Sequence, residues 1–124
     1  MDLTRDLPGE HHVVRWVRAD AIAVDDRPVA QSFLLGPQAF EEDWGPATVE
    51  DLDDGALERI LALHPEVLLL GTGPTQRFPA PRVMAYFLSR GVGIEVMDNA
   101  GAARTFNLLA GEGRRVVAAF LLPR

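Results

Sequence analysis

Hydrophobic and polar positions divide the chain into two halves with different rhythms. In the first half, Val13–Val17 and Ala21–Val24 predict two strands around a turn near Ala19–Asp20. Val29–Leu35 predicts a third, entered after Asp25, Asp26, Arg27 and Pro28. The alternation is partial, with Val14, Trp16 and Arg18 on one face and Val13, Arg15 and Val17 on the other. Gly36 and Pro37 close this β-rich region. Residues 39–48 carry Gly45-Pro46 and several acids, and predict a loop with Phe40 and Trp44 tucked against the core.

The second half alternates helix and strand. Asp53 or Asp54 can cap a helix running to about Leu63, with Leu57, Ile60 and Leu61 on one face and Pro65 beyond its end. Val67–Leu70 is a short, wholly apolar strand, followed by Gly71-Thr72-Gly73-Pro74. Pro81 suits the first turn of a second helix that Gly91 terminates. Val92–Met97 predicts a strand, residues 100–110 a helix, and Arg115–Leu121 a last strand. The order β-β-β, then α-β-α-β-α-β, predicts an α/β fold whose sheet is covered by helices on both faces, with a β-rich start that sets it apart from a pure Rossmann-like repeat. The 124 residues predict a single domain, with residues 1–12 as a flexible leader.

Composition narrows the chemistry. The chain has no cysteine, which removes disulfides, thiolate metal sites and a cysteine nucleophile together. Its longest strongly apolar run, Val116–Leu122, is far short of a membrane span, and the acidic N-terminus does not read as a signal or transit peptide. The expectation is a soluble, cytoplasmic protein without direct membrane insertion. The net charge of −6 conceals an asymmetry. Residues 1–66 carry fifteen acids and five arginines; residues 67–124 carry three acids and seven arginines. The acids gather at Glu41, Glu42, Asp43, Glu50, Asp51, Asp53, Asp54 and Glu58. Such a cluster is either a solvated face or a patch that meets a basic partner. No basic stripe interleaved with aromatics is present, so nucleic acid is not an expected partner.

Candidate chemistry gathers at two strand-to-helix turns. Glycines after a buried strand let backbone amides approach an anion, so Gly71, Thr72 and Gly73 form one candidate ligand-binding turn. The spacing fits neither a P-loop nor GxGxxG. Asp98 and Asn99 form the second turn. Either can cap the following helix, Asn99 being the better fit to a purely capping role, with Asp98 as an acid, base or ligand contact. Adjacent parallel strands would bring both turns to one cleft.

The helix beyond this second turn has an apolar stripe of Ala102, Ala103, Phe106, Leu109 and Ala110. Arg104 and Asn107 lie on another side, Arg104 being suited to hold an anion or to form an ion pair. Arg77, Arg82, Arg114 and Arg115 can add positive charge. Glu95 and Glu112 are candidates for buried ion pairs, and His64 reads as a helix end. His11 and His12 are adjacent and would point apart on a strand. With no HxxH or HExxH spacing, neither a metal site nor a cofactor is expected. No catalytic residues can be assigned, since Ser32 and Ser89 lie outside any GxSxG turn.

The run EVMDNAGAARTFNLLAGEGRRVVAAFL, with the upstream VLLLGTGP and the intervening RGVGIE, resembles one family of small proteins. It is the domain-of-unknown-function family that includes mitochondrial NADH dehydrogenase complex I assembly factor 3. Gly71, Thr72, Gly73, Met97, Asp98, Arg104, Thr105, Asn107, Glu112, Gly113 and Arg114 match its pattern. Asn99 stands where threonine is usual and Phe106 where tyrosine is usual; the latter removes a hydroxyl. The resemblance implies a three-layer α/β fold, with a mixed central sheet, helices on both faces and an additional N-terminal β layer, and no established reaction. It also implies protein partners, respiratory-complex subunits among them. The expected function is therefore a non-catalytic interaction or assembly factor. The alternatives are a small anionic ligand, or an enzyme, in the cleft at 71–73 and 98–99.

Overall fold

The computed structural model describes residues 10–123. Eight strands and three α-helices form two sheets and their covering layers. Strands β1 (Val14–Val17), β2 (Ile22–Val24) and β3 (Arg27–Val29) make an antiparallel three-stranded sheet. The larger sheet contains β4 (Phe33–Leu35), β5 (Phe40–Glu41), β6 (Val67–Gly71), β7 (Gly93–Met97) and β8 (Val116–Phe120), in the order β5-β4-β8-β6-β7. β6 runs parallel to both β7 and β8, whereas β4 is antiparallel to β5 and β8, so the sheet is mixed. The helices are α1 (Asp54–Leu61), α2 (Pro81–Leu88) and α3 (Asn99–Gly111), with a short 3-10 turn at Val49–Asp51.

The central strands are apolar throughout because both of their faces are covered. Phe33, Leu35, Val67, Leu69, Ala118 and Phe120 face one core, shared with Ala102, Ala103, Phe106 and Ala110 of α3. Val14, Ile22, Val24 and Val29 of the three-stranded sheet join that same core. Their alternates Leu34, Leu68, Leu70, Val117 and Ala119 face the other, with Ala56, Leu57 and Ile60 of α1 and Val83 and Phe87 of α2. A strand residue thus belongs to one core or the other by its parity. The alanines of α3 keep the helix close to the sheet, and Phe106 fills the gap as a fully buried side chain. Burial of such a ring stabilises by about 1.5–3 kcal/mol.

Several sequence expectations need correction. Val29–Leu35 is not one strand: β3 ends at Val29 in one sheet and β4 begins at Phe33 in the other. The crossing is pinned by Ser32, whose hydroxyl donates to the Leu122 carbonyl (3.2 Å) and accepts from its N–H (2.8 Å). Continuous hydrophobicity cannot reveal a change of sheet, because both strands are buried. Residues 39–48 are not wholly loop, since Phe40–Glu41 pair with β4. Trp44 is buried there and its indole N–H donates to the Ala56 carbonyl. His64 lies beyond the end of α1, in a left-handed conformation (φ 56°). Residues 1–9 of the expected leader lie outside the described residues. His12 is docked: its N–H donates to Pro37 C=O (2.8 Å) and its Nδ1 is 2.7 Å from Asp25 Oδ2.

Candidate functional site

The parallel pairing of β6 with β7 brings the two predicted turns together. The Thr72 N–H donates to the Met97 carbonyl (3.0 Å), and the Asn99 N–H donates to the Gly73 carbonyl (2.8 Å). Gly71–Gly73 and Asp98–Asn99 therefore share one sheet edge, as adjacent parallel strands require.

Within that edge the polar groups are engaged with one another. Asp98 caps α3 by accepting from the Gly101 N–H at 2.7 Å. Asn99, the residue expected to be the cap, is instead the first helical residue and almost wholly buried (2% exposed). Its Oδ1 accepts from the Gly73 N–H (3.1 Å) and its Nδ2 donates to the Leu121 carbonyl (3.0 Å). One side chain thus ties the end of β6 and the end of β8 to the start of α3. The Thr72 hydroxyl donates to Thr75 C=O (2.7 Å) and accepts from the Arg77 N–H (3.0 Å). Gly73 adopts φ 95°, a conformation costly for any residue with a Cβ.

Arg104 and Asn107 do not join this cluster. Arg104 is exposed on α3, and its side chain makes no hydrogen bond or ion pair among the described residues. Asn107 clamps β1: its Oδ1 accepts from the Val14 N–H and its Nδ2 donates to the Val14 carbonyl, both at 2.9 Å. This two-way bond to a strand backbone was missed in the sequence, where the partner lies ninety-three positions away. Three other arginines form ion pairs away from the cluster: Arg77 with Glu50, Arg82 with Asp54, and Arg114 with Glu66. Glu95 and Glu112 are exposed and not buried ion-pair members, because the sides of β7 and the α3 exit that carry them are uncovered.

The open space beside the two turns is a pocket of about 170 Å³ lined by Val17, Arg18, Ala19, Gly73, Pro74, Asp98, Asn99 and Ala100. That is below the roughly 300 Å³ at which ligand pockets usually begin. No cluster of three or more potential metal-ligating side chains occurs among the described residues. The carboxyls of Asp25 and Glu66 are held below their ordinary range. Burial disfavours the charged form of Asp25, but hydrogen bonds from His12 and the Val13 N–H, with the charges of His12 and Arg15, outweigh it. Glu66 is held down by the Arg115 N–H and the Arg114 guanidinium.

A mixed sheet covered on both faces, with Asn99 joining three of its elements at one edge, defines an α/β protein whose strand-end turns are internally bonded. The chain belongs to the family of proteins of unknown function DUF498/DUF598, whose family model matches residues 14–121. It is similar to NADH dehydrogenase (ubiquinone) 1 alpha subcomplex assembly factor 3 of Bos taurus, 32% identical over 123 residues, 98% of this chain and 66% of the relative. The corresponding factor of Xenopus tropicalis is 35% identical over 82 residues, 64% of this chain and 44% of the relative. The chain thus spans less than two thirds of these curated relatives. An NMR structure of a Xanthomonas campestris protein matches with a TM-score of 0.85 and 40% identity, covering 98% of this chain and 92% of that one. No helix among the described residues is long and apolar enough to cross a membrane.

Proposed function

We propose that this protein is an assembly factor for a respiratory NADH dehydrogenase, acting by binding protein partners and not by catalysis. The observation that carries the reading is the relation to assembly factor 3, which extends over 98% of the chain at 32% identity. The chemistry of the strand-end turns supports it. Thr72, Asp98 and Asn99, the polar side chains of those turns, are each bonded to backbone groups of the protein itself. A reacting group must instead reach a substrate. The surface carries exposed apolar side chains: Phe78, Leu88 and Leu108 are exposed by 65%, 57% and 61%. Leu88 and Leu108 lie on helices that cover opposite faces of the sheet, so they are separate candidate contact points and not one patch.

The acidic cluster contributes less than its sequence suggests. Glu41, Glu42, Glu50 and Asp54 are paired with Arg59, Arg27, Arg77 and Arg82. Asp53 caps α1 and Asp51 accepts from the Thr48 N–H and hydroxyl, leaving Asp43 and Glu58 as exposed carboxylates with no side-chain partner among the described residues. The test is isolation of the tagged protein from cells that carry it. NADH dehydrogenase subunits are expected to co-purify, and less so with a Leu108→Asp, Phe78→Asp variant that stays folded. Absence of those subunits from the intact protein's eluate would contradict the reading.

A further inference from the structure

We propose that the protein binds a small organic carboxylate with a short apolar tail at the sheet end opposite the Gly71–Gly73 turn. A cavity of about 490 Å³ opens there, where β8 begins and α3 ends. That volume lies within the usual range of small-molecule sites, about 300–1,000 Å³. Its walls are of two kinds. Half-buried Ala39 and Leu63 present apolar surface, whereas Arg114 and Arg115 bring hydrogen-bond donors and His11 an imidazole ring. Glu10 also lines it and Glu66 binds Arg114, so the two arginines share this end of the sheet with two carboxylates, and the capacity left for an anion lies in their terminal nitrogens.

The polar groups are positioned and still have capacity. Glu66 accepts from Nε of Arg114 (3.1 Å) and from the backbone N–H of Arg115 (2.9 Å), which fixes the base of both residues. Arg115 Nε donates weakly to the His64 carbonyl at 3.4 Å. The terminal guanidinium nitrogens of both arginines make no hydrogen bond among the described residues. They remain free for a carboxylate, which guanidinium binds in two-pronged fashion. His11 Nδ1 lies 2.7 Å from the His12 carbonyl, an atom that only accepts, so the Nδ1 hydrogen is already used there and the donors left for a ligand are those of the two guanidiniums. An anion alone would leave the Ala39 and Leu63 wall wet, and an apolar molecule alone would leave the arginines unused. A short-chain carboxylate satisfies both.

The experiment is an amide chemical-shift titration of the isotope-labelled protein with hexanoate, alongside hexanamide and acetate. Hexanoate is expected to give saturable shifts at residues 36–39 and 113–117, with hexanamide and acetate each at least about tenfold weaker. Arg115→Gln keeps the backbone bond to Glu66 and therefore the local fold, and is expected to weaken hexanoate by roughly tenfold. A titration without saturation, equal binding of hexanamide or acetate, an unaffected Arg115→Gln variant, or shifts centred on residues 73 and 98–100 would overturn the proposal.

Discussion

Oδ1 of Asn99 occupies the space in which Gly71 would carry a side chain. A Cβ added to Gly71 would lie 2.4 Å from that oxygen, 3.2 Å from the Phe120 ring and 3.3 Å from Ala102 Cβ. Gly71 is needed because a buried amide crosses over it to reach Gly73 and Leu121. Gly71→Ala is expected to destabilise by about 1–3 kcal/mol through overpacking. The Gly71→Ala, Asn99→Ala double variant should cost less than the sum of the two single variants, because the clash disappears with the amide. Urea unfolding of the four proteins measures this coupling.

Asn99→Ala alone leaves the Gly73 N–H and the Leu121 carbonyl without their partner, at about 1–3 kcal/mol for each group orphaned in the core. Asn99→Thr cannot span both groups and should fall between Asn and Ala. Thermal and urea unfolding of the two variants check the order.

Asp98 acts as a helix cap, and its charge is not needed for that. Asp98→Asn should change stability by only a few tenths of a kcal/mol, since the two residues cap almost equally, whereas Asp98→Ala should cost about 0.5–2 kcal/mol. A large loss with Asn would show that the carboxylate has a further role.

Asn107 holds β1 against α3 through both backbone groups of Val14. Asn107→Asp keeps the acceptor and loses the donor; Asn107→Leu loses both. The expected stability losses are about 1 kcal/mol for Asp and about 2 kcal/mol for Leu. Amide hydrogen exchange at Val14 should quicken most in the Leu variant.

These particulars mark how far the sequence carries. Legible beforehand were the α and β segments of the second half, and that the two turns would meet if their strands paired side by side in parallel, as β6 and β7 do. Each follows from local periodicity and from the geometry of a strand–helix–strand unit. The division of labour between Asp98 and Asn99 was not legible. Both are good capping residues, and only the approach of β8, bringing Leu121, determines which side chain turns inward. The change of sheet at Ser32 was hidden for a similar reason: Val29 and Phe33 are both buried, and burial is what hydrophobicity reports. The charge asymmetry also misled. Chain folding brings Arg77 and Arg82 from the basic half onto Glu50 and Asp54 of the acidic half, so a patch that looks uncompensated along the chain is largely paired in space.

The pH dependence follows from Asp25, whose pKa in the folded protein lies below its ordinary 3.8. Burial acts against the charged form, but the bonds from His12 and Val13 prevail. A depressed pKa means that the folded state holds the proton less tightly than the unfolded chain. The resulting stabilisation is complete above the unfolded value and is lost as pH falls through the folded one. Asp25→Asn should therefore be less stable than the parent at pH 7, with the gap closing below about pH 3.8. Urea midpoints across pH 2–7 would reveal it.

The most direct measurement of the proposed role is the amount of fully assembled NADH dehydrogenase, resolved on a native gel, in cells lacking this protein. The account predicts that the assembled complex falls and subcomplexes accumulate. It also predicts that both the intact protein and Asp98→Asn restore assembly. An undiminished complex in the deleted cells, or restoration by the intact protein but not by a folded Asp98→Asn variant, would contradict it.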